Sequence, residues 1–352
     1  MPGAAAVPFR LGETMAMRTV LLRLLGALPA LAGVILVTFL LTRVLPGDTA
    51  SYFAGPTASA ESIAQIRAEL GLDRPLPEQF FRYVTALAQG DLGMSLTTGQ
   101  PVLADLTARL PASVELTLAA LLLAMGIAIP LGILAAVKQG SWADHLCRIV
   151  VTAGVSLPVF FTGLLLVYVF YFILGWSPAP LGRLDAFASA PPTVTGLYLV
   201  DSLLAGDMET FRASLAQMAL PVATLGLFAL APIARISRGS MLAVLSADFV
   251  RTARASGLSP RYVILTYAFR NAMLPVLTTL GMVFSFLLGA NVLVEKVFAW
   301  PGVGSYAVEA LIASDFAPVQ GFVLTMAILY VLLNLMIDLL YGLVDPRARM
   351  DA

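Results

Sequence analysis

The sequence predicts an all-α polytopic membrane protein: six transmembrane helices in a single domain, with both termini cytoplasmic. Three observations carry that expectation. Of 352 residues, 59% are hydrophobic and 12% charged, with a mean hydropathy of +0.89, whereas a soluble domain carries about 25% charged residues. Six charge-free runs come near or exceed the roughly 20 residues that a bilayer-spanning helix needs. They are Leu24–Thr42, Leu116–Val137, Ile149–Trp176, Ala213–Ala234, Asn271–Val294 and Phe316–Ile337. Helices are the form such runs take, because lipid leaves every backbone N–H and C=O to be paired internally. The net charge is zero but unevenly placed: with the N-terminus inside, 13 basic residues fall in inner segments and 8 in much longer outer ones. Excess Lys and Arg marks the cytoplasmic side.

Taken in order, residues 1–16 read as a disordered extension and 17–352 as one transmembrane domain. Met17–Leu41 has a basic start and an Ala30-Leu31-Ala32 site, but its apolar run outlasts a signal-peptide core. It reads as an uncleaved first helix. Leu45-Pro46-Gly47-Asp48 stops it. The outer loop 46–113 follows. Within it, Ile63, Ile66 and Leu70 recur at helical spacing before Gly71, and Phe80, Val84 and Leu87 do so before Gly90. Two short helices are predicted there. The stretch KQGSWADHLCR joins the second and third spans inside. Asp185–Arg212 lies outside, with Val194–Val200 too short to cross. The stretch EKVFAWPGVGSYAVEALIASD joins the fifth and sixth spans outside. Pro130, Pro158, Pro221 and Pro232 mark kinks, which membrane helices tolerate.

Several chemistries are excluded. The lysines are Lys138 and Lys296, preceded by Val137 and Glu295, so no Gly-Lys-Ser/Thr phosphate loop exists. His145 is the sole histidine and Cys147 the sole cysteine, so a two-histidine zinc helix and an intrachain disulfide are both out. Ion-coupled carriers place ionisable groups inside their spans. Here the spans are almost clean, with Asn334 and Asp338 sharing one face near the end of the last. A pathway so poor in titratable groups fits one energised by another component. A stand-alone secondary transporter, a membrane-embedded enzyme and a receptor without transport are the competing readings.

The inner loop 235–270 is the most basic stretch. Arg235, Arg238, Arg251, Arg254, Arg261 and Arg270 against Asp248 give it +5. Topology and anionic lipid account for the charge. The layout is more particular: Asp248–Ser256 reads as a short helix, Gly257 as its stop, and Ser259-Pro260 as the cap and first position of the next. Small residues there allow a close approach. The pattern suits either a docking element or a lipid-facing loop.

The run R-T-A-R-A-S-G-L-S followed by F-R-N-A-M-L-P-V resembles the cytoplasmic loop of ABC-importer permeases, with Arg251-Thr252-Ala253 where the broader pattern has Glu-Ala-Ala. The ordered set L-P-G-D, L-G-L-D-R-P-L-P, G-D-L-G-M-S, F-A-W-P-G-V-G and D-L-L-Y-G-L-V-D-P-R is similar to the dipeptide/oligopeptide/nickel permease family, first-subunit type. The resemblance implies a type I ABC-importer permease fold in the bacterial inner membrane, and no catalytic residue, cofactor or metal. It implies a second homologous permease subunit, two ATP-binding ATPase subunits and an extracytoplasmic solute-binding protein as partners, besides membrane lipid and no nucleic acid. It places Arg251, Thr252, Ala253, Arg254, Ala255, Gly257 and Leu258 at the ATPase joint. Gly281, Gly289 and Asn291 on the fifth span are candidates for pathway lining, with helix packing by small residues as the alternative. The cargo is a peptide or a related small solute.

Overall fold

The computed structural model describes residues 25–40, 50, 55, 58–69, 71–185 and 187–344. The predicted extension 1–16, the Leu45–Asp48 stop and the D-P-R motif lie outside them. Among the described residues every regular element is helical, apart from one isolated bridge between Met94 and Pro101. The chain divides into two compact units, residues 46–322 and a second made of 1–45 with 323–352.

The second unit contains α1 (Leu25–Leu40) and most of α12 (Phe316–Val344). The larger unit begins with α2 (Ala60–Glu69) and α3 (Leu76–Ala88), the two short helices expected in the long loop. Gly71 and Gly90 follow them at φ +65° and +80°, conformations that suit glycine and end a helix. Then come α4 (Val102–Val137), α5 (Trp142–Ser156) and α6 (Val159–Leu166), the last running on as a π-helical turn through Ile173. A short α7 (Tyr198–Leu204) precedes α8 (Met208–Leu245), which Asp207 caps by accepting from the Thr210 amide. The unit closes with α9 (Asp248–Ala255), α10 (Pro260–Val297, π-helical over Val263–Ala268) and α11 (Val303–Ile312).

Four segments are long and apolar enough to cross a membrane: α4, α8, α10 and Phe316–Ile337 of α12. A fifth results if α5 and α6 count as one broken span. The sequence reads Ile149–Trp176 as a single run, but the helix breaks there and turns by 104°. The cause is local. A residue before proline is driven out of the helical region, and Leu157 is extended at φ −119°, ψ 144° ahead of Pro158. Helices α4 and α8 continue through Pro130, Pro221 and Pro232, so only Pro158 of the four interrupts its helix.

Helix α8 is central: α4 packs along it most extensively, then α10 and α5. The α4–α8 seam is built from small residues. Ala112, Ala120, Ala124 and Ala128, with Leu116 between them, recur every four residues on α4 and are fully buried. A Cβ on Gly132 would stand 2.7 Å from the Ser237 Cβ, and where α5 meets α8 one on Gly154 would stand 2.8 Å from the Leu227 carbonyl. Such seams let backbones approach where lipid offers no hydrophobic drive between helices.

Candidate functional site

The hairpin between α8 and α10 has the layout that its sequence specifies. Helix α9 spans Asp248–Ala255, Gly257 turns the chain at φ +78°, and the Ser259 hydroxyl accepts from the Tyr262 amide with Pro260 at the first helical position. Val250, Ala253 and Val263 form a small buried core, against which Val244, Leu245 and Leu258 pack. The hairpin is therefore anchored both to the end of α8 and to the start of α10. Of the seven residues singled out, Ala253 faces this core and Leu258 is half-buried. Arg251, Thr252, Arg254, Ala255 and Gly257 are exposed and form its outer face, beside a half-exposed Phe249. The Thr252 hydroxyl donates to the Asp248 carbonyl, and Arg251 sits 3.8 Å from the Asp248 carboxylate, both open to solvent. A Cβ on Gly257 would meet nothing within 4 Å. Among the described residues no packing requires this surface to be small, the positive φ of Gly257 being a demand of the turn alone.

A second anchor lies close by. Asp144, fully buried at the start of α5, accepts from Arg238 Nε at 2.7 Å, Arg148 Nη2 at 2.8 Å and the Gly140 amide at 3.0 Å. It ties the turn between α4 and α5 to α8, seven residues before α8 ends. Nothing in the sequence signals the Asp144–Arg238 pair, whose members stand 94 positions apart.

The three α10 residues proposed for the pathway do not share one face. Gly281 is buried, and Asn291 is buried and donates to the Ser113 carbonyl, Thr117 Oγ1 and Glu295. Gly289 is exposed with open space beside it.

At the far end of α10 the chain turns a corner into α11 around Glu295. This carboxylate is buried and accepts from Ser113 Oγ at 2.5 Å, Asn291 Nδ2 at 3.0 Å and the Ser305 amide at 2.7 Å. Ser113 Oγ in turn accepts from the Val303 amide, and Trp300 Nε1 donates to the Ala112 carbonyl, both at 2.9 Å. A Cβ on Gly302 would overlap the Glu295 carboxylate and Ser113 Oγ, and one on Gly304 would stand 2.7 Å from Val292 Cα. Two residues along α4, Glu115 holds Arg183 at 2.6 Å and accepts from the Leu199 amide, while Arg183 lies over the Tyr198 ring at 3.4 Å. Asp201 accepts from the Val194, Thr195 and Gly196 amides and the Thr195 hydroxyl. Burial pushes the Asp201 carboxyl up, but those bonds outweigh it and hold it below the usual carboxylate range. The sequence analysis gives Gly302 and Gly304 no role. The signal that was available is two glycines straddling one residue just after a Trp-Pro turn, a demand for close approach.

This is a multi-pass helical permease subunit with an anchored, solvent-exposed basic hairpin. The family described as "Binding-protein-dependent transport system inner membrane component" matches residues 128–350, and its N-terminal counterpart matches 16–117; the chain belongs to that family. It is similar to the probable D,D-dipeptide transport system permease protein DdpB of Escherichia coli, 47% identical over 92% of this chain and 94% of that one. The di/tripeptide permease protein DppB of Pseudomonas aeruginosa is 43% identical over 93% and 97%, and the glutathione permease protein GsiC of Salmonella paratyphi A 38% over 94% and 98%. The chain is thus a transmembrane subunit of an ABC importer, seated in the inner membrane.

Proposed function

We propose that this subunit forms half of the translocation pathway of an ATP-driven importer of short peptides. Its relatives are named for dipeptides, di/tripeptides and glutathione, all short and peptide-bonded, which supports that cargo. In this reading the chain crosses the membrane six times, with 17–352 as one permease domain and both termini cytoplasmic. The broken α5–α6 pair counts as one span and α1 as another. Loop 46–113 with its short helices faces outward, and 235–270 faces the cytoplasm. A second homologous permease completes the pathway, two ATPase subunits supply the energy, and a solute-binding protein delivers the peptide. Helix α10 lines the pathway, with Gly289 at its open surface and Gly281 and Asn291 supporting it from behind.

One observation carries the coupling role. Arg251, Thr252, Arg254, Ala255 and Gly257 are exposed, and no packing within the chain requires Gly257 to be small. The hairpin beneath them is fixed to α8 and α10 by Val250, Ala253 and Leu258. A partner seated on that surface would move both helices together, as in rigid-body switching between states. Coupling requires the partner to engage the two states differently. The test is peptide uptake by cells carrying Gly257→Glu, scored against the amount of inserted protein. Uptake falls to background while insertion stays normal. Normal uptake by that variant would refute the assignment of the hairpin.

A further inference from the structure

Between α8 and α10 lies a groove of about 290 Å³ lined by Phe228, Pro232, Arg235, Thr279, Met282 and Phe286. The two helices run antiparallel here, and their residues match in register. At one end Phe228 and Phe286 stack with ring centroids 4.9 Å apart. Seven residues along each helix, Arg235 and Thr279 close the other end. Seven residues of helix span about 10 Å.

Two features make this groove more than an apolar crevice. Arg235 is exposed and forms no ion pair or hydrogen bond among the described residues. Its neighbour Arg238, one turn on, is committed to Asp144. Topology accounts for a basic residue at this rim, and its being unpaired leaves it available to an anionic group. Pro232 has no N–H, so the Phe228 carbonyl lacks its usual i+4 helical donor. The groove thus has a cation at one end and a carbonyl short of its helical donor toward the other, with aromatic and thioether surface between. The Thr279 hydroxyl donates to the Pro275 carbonyl, which leaves its oxygen able to accept beside Arg235.

We infer that this groove is a transit subsite for a zwitterionic dipeptide, with the peptide carboxylate on Arg235 and its ammonium end toward the Phe228 carbonyl. The inference rests on the peptide-importer reading and deepens it. The dimensions agree, since an extended dipeptide is about 7 Å long. Phe228, Met282 and Phe286 accept varied side chains without selecting among them, Met282 and Phe286 being more than half exposed. Arg235 supplies a bidentate carboxylate contact.

The test uses the complete transporter in proteoliposomes, supplied with its binding protein and radiolabelled Ala-Ala. Arg235→Gln lowers the maximal uptake rate at least about tenfold, the scale of one lost charge-assisted contact, while ATP hydrolysis stimulated by the loaded binding protein persists. Arg235→Lys recovers most of the rate. Lys138→Gln, which removes an exposed basic charge outside the groove, leaves uptake unchanged. In parallel, p-benzoylphenylalanine at Met282 cross-links to the labelled dipeptide during turnover. Unaltered uptake in Arg235→Gln would overturn the subsite, as would equal losses in Arg235→Gln and Lys138→Gln. Cross-linking to phospholipid or to the second permease alone would also overturn it. Absence of uptake by the unaltered complex would instead refute the peptide-importer reading beneath it.

Discussion

The two ends of α10 solve opposite problems with similar residues. At the α11 corner, glycines exist because the chain crowds itself: a Cβ on Gly302 would collide with the Glu295 carboxylate. At the α9 hairpin, Gly257 has the positive φ that suits glycine, yet open space surrounds it. The corner buries the Glu295 carboxylate and pairs it internally, whereas the hairpin leaves Arg251, Arg254 and Thr252 in solvent. A motif explained by internal packing tells of the fold. A motif left unexplained by it points to another molecule.

The contrast breaks most readily at the corner. Gly302→Val should drive its side chain into the Glu295 carboxyl and Ser113 Oγ and cost about 3 kcal/mol or more, as overpacking together with a stranded buried polar group does. It would appear as loss of the folded species in detergent thermal melts. Ser113→Ala removes one donor to Glu295 and the acceptor of the Val303 amide, for about 1–3 kcal/mol in the same assay. A wild-type melting temperature in either variant would erase the distinction between the two ends.

Acid offers a gentler probe. The Asp201 carboxyl is held low in the folded chain, so its contribution is fully present above the unfolded value near 3.9 and is lost as pH falls below it. Amide exchange at Val194–Gly196 should therefore quicken on going from about pH 5 to pH 3, once the intrinsic pH effect is removed. At the hairpin, Arg254→Ala should shift stability by no more than about 0.5 kcal/mol, while peptide uptake drops. A large fall in melting temperature there would mean that the exposed arginine serves the fold rather than a partner.

Much of this was legible in advance. The short helices after Ala60 and Leu76, and the α9–Gly257–Ser259-Pro260 layout, follow from periodicity and capping, which are local. The family was legible from ordered motifs. What escaped depends on distance in sequence. Ser113 meets Glu295 across 182 positions and Arg183 meets Glu115 across 68, and no local pattern announces either. At Pro158 a kink was legible but not a 104° break, because a hydropathy run records composition, and composition is blind to one residue's backbone angles. Asn291, read as a candidate pathway residue, is occupied by Ser113, Thr117 and Glu295, contacts that only the folded chain reveals.

The alanine ladder of α4 has a mechanical consequence. Slippage between two helices normally proceeds by side chains hopping between rotamers, and alanine has none to offer. With Ala112, Ala120, Ala124 and Ala128 buried in the core that α4 shares with α8, the two rods behave as one stiff beam. A push delivered at the Gly257 tip would then travel the beam's full length with little absorbed along the way.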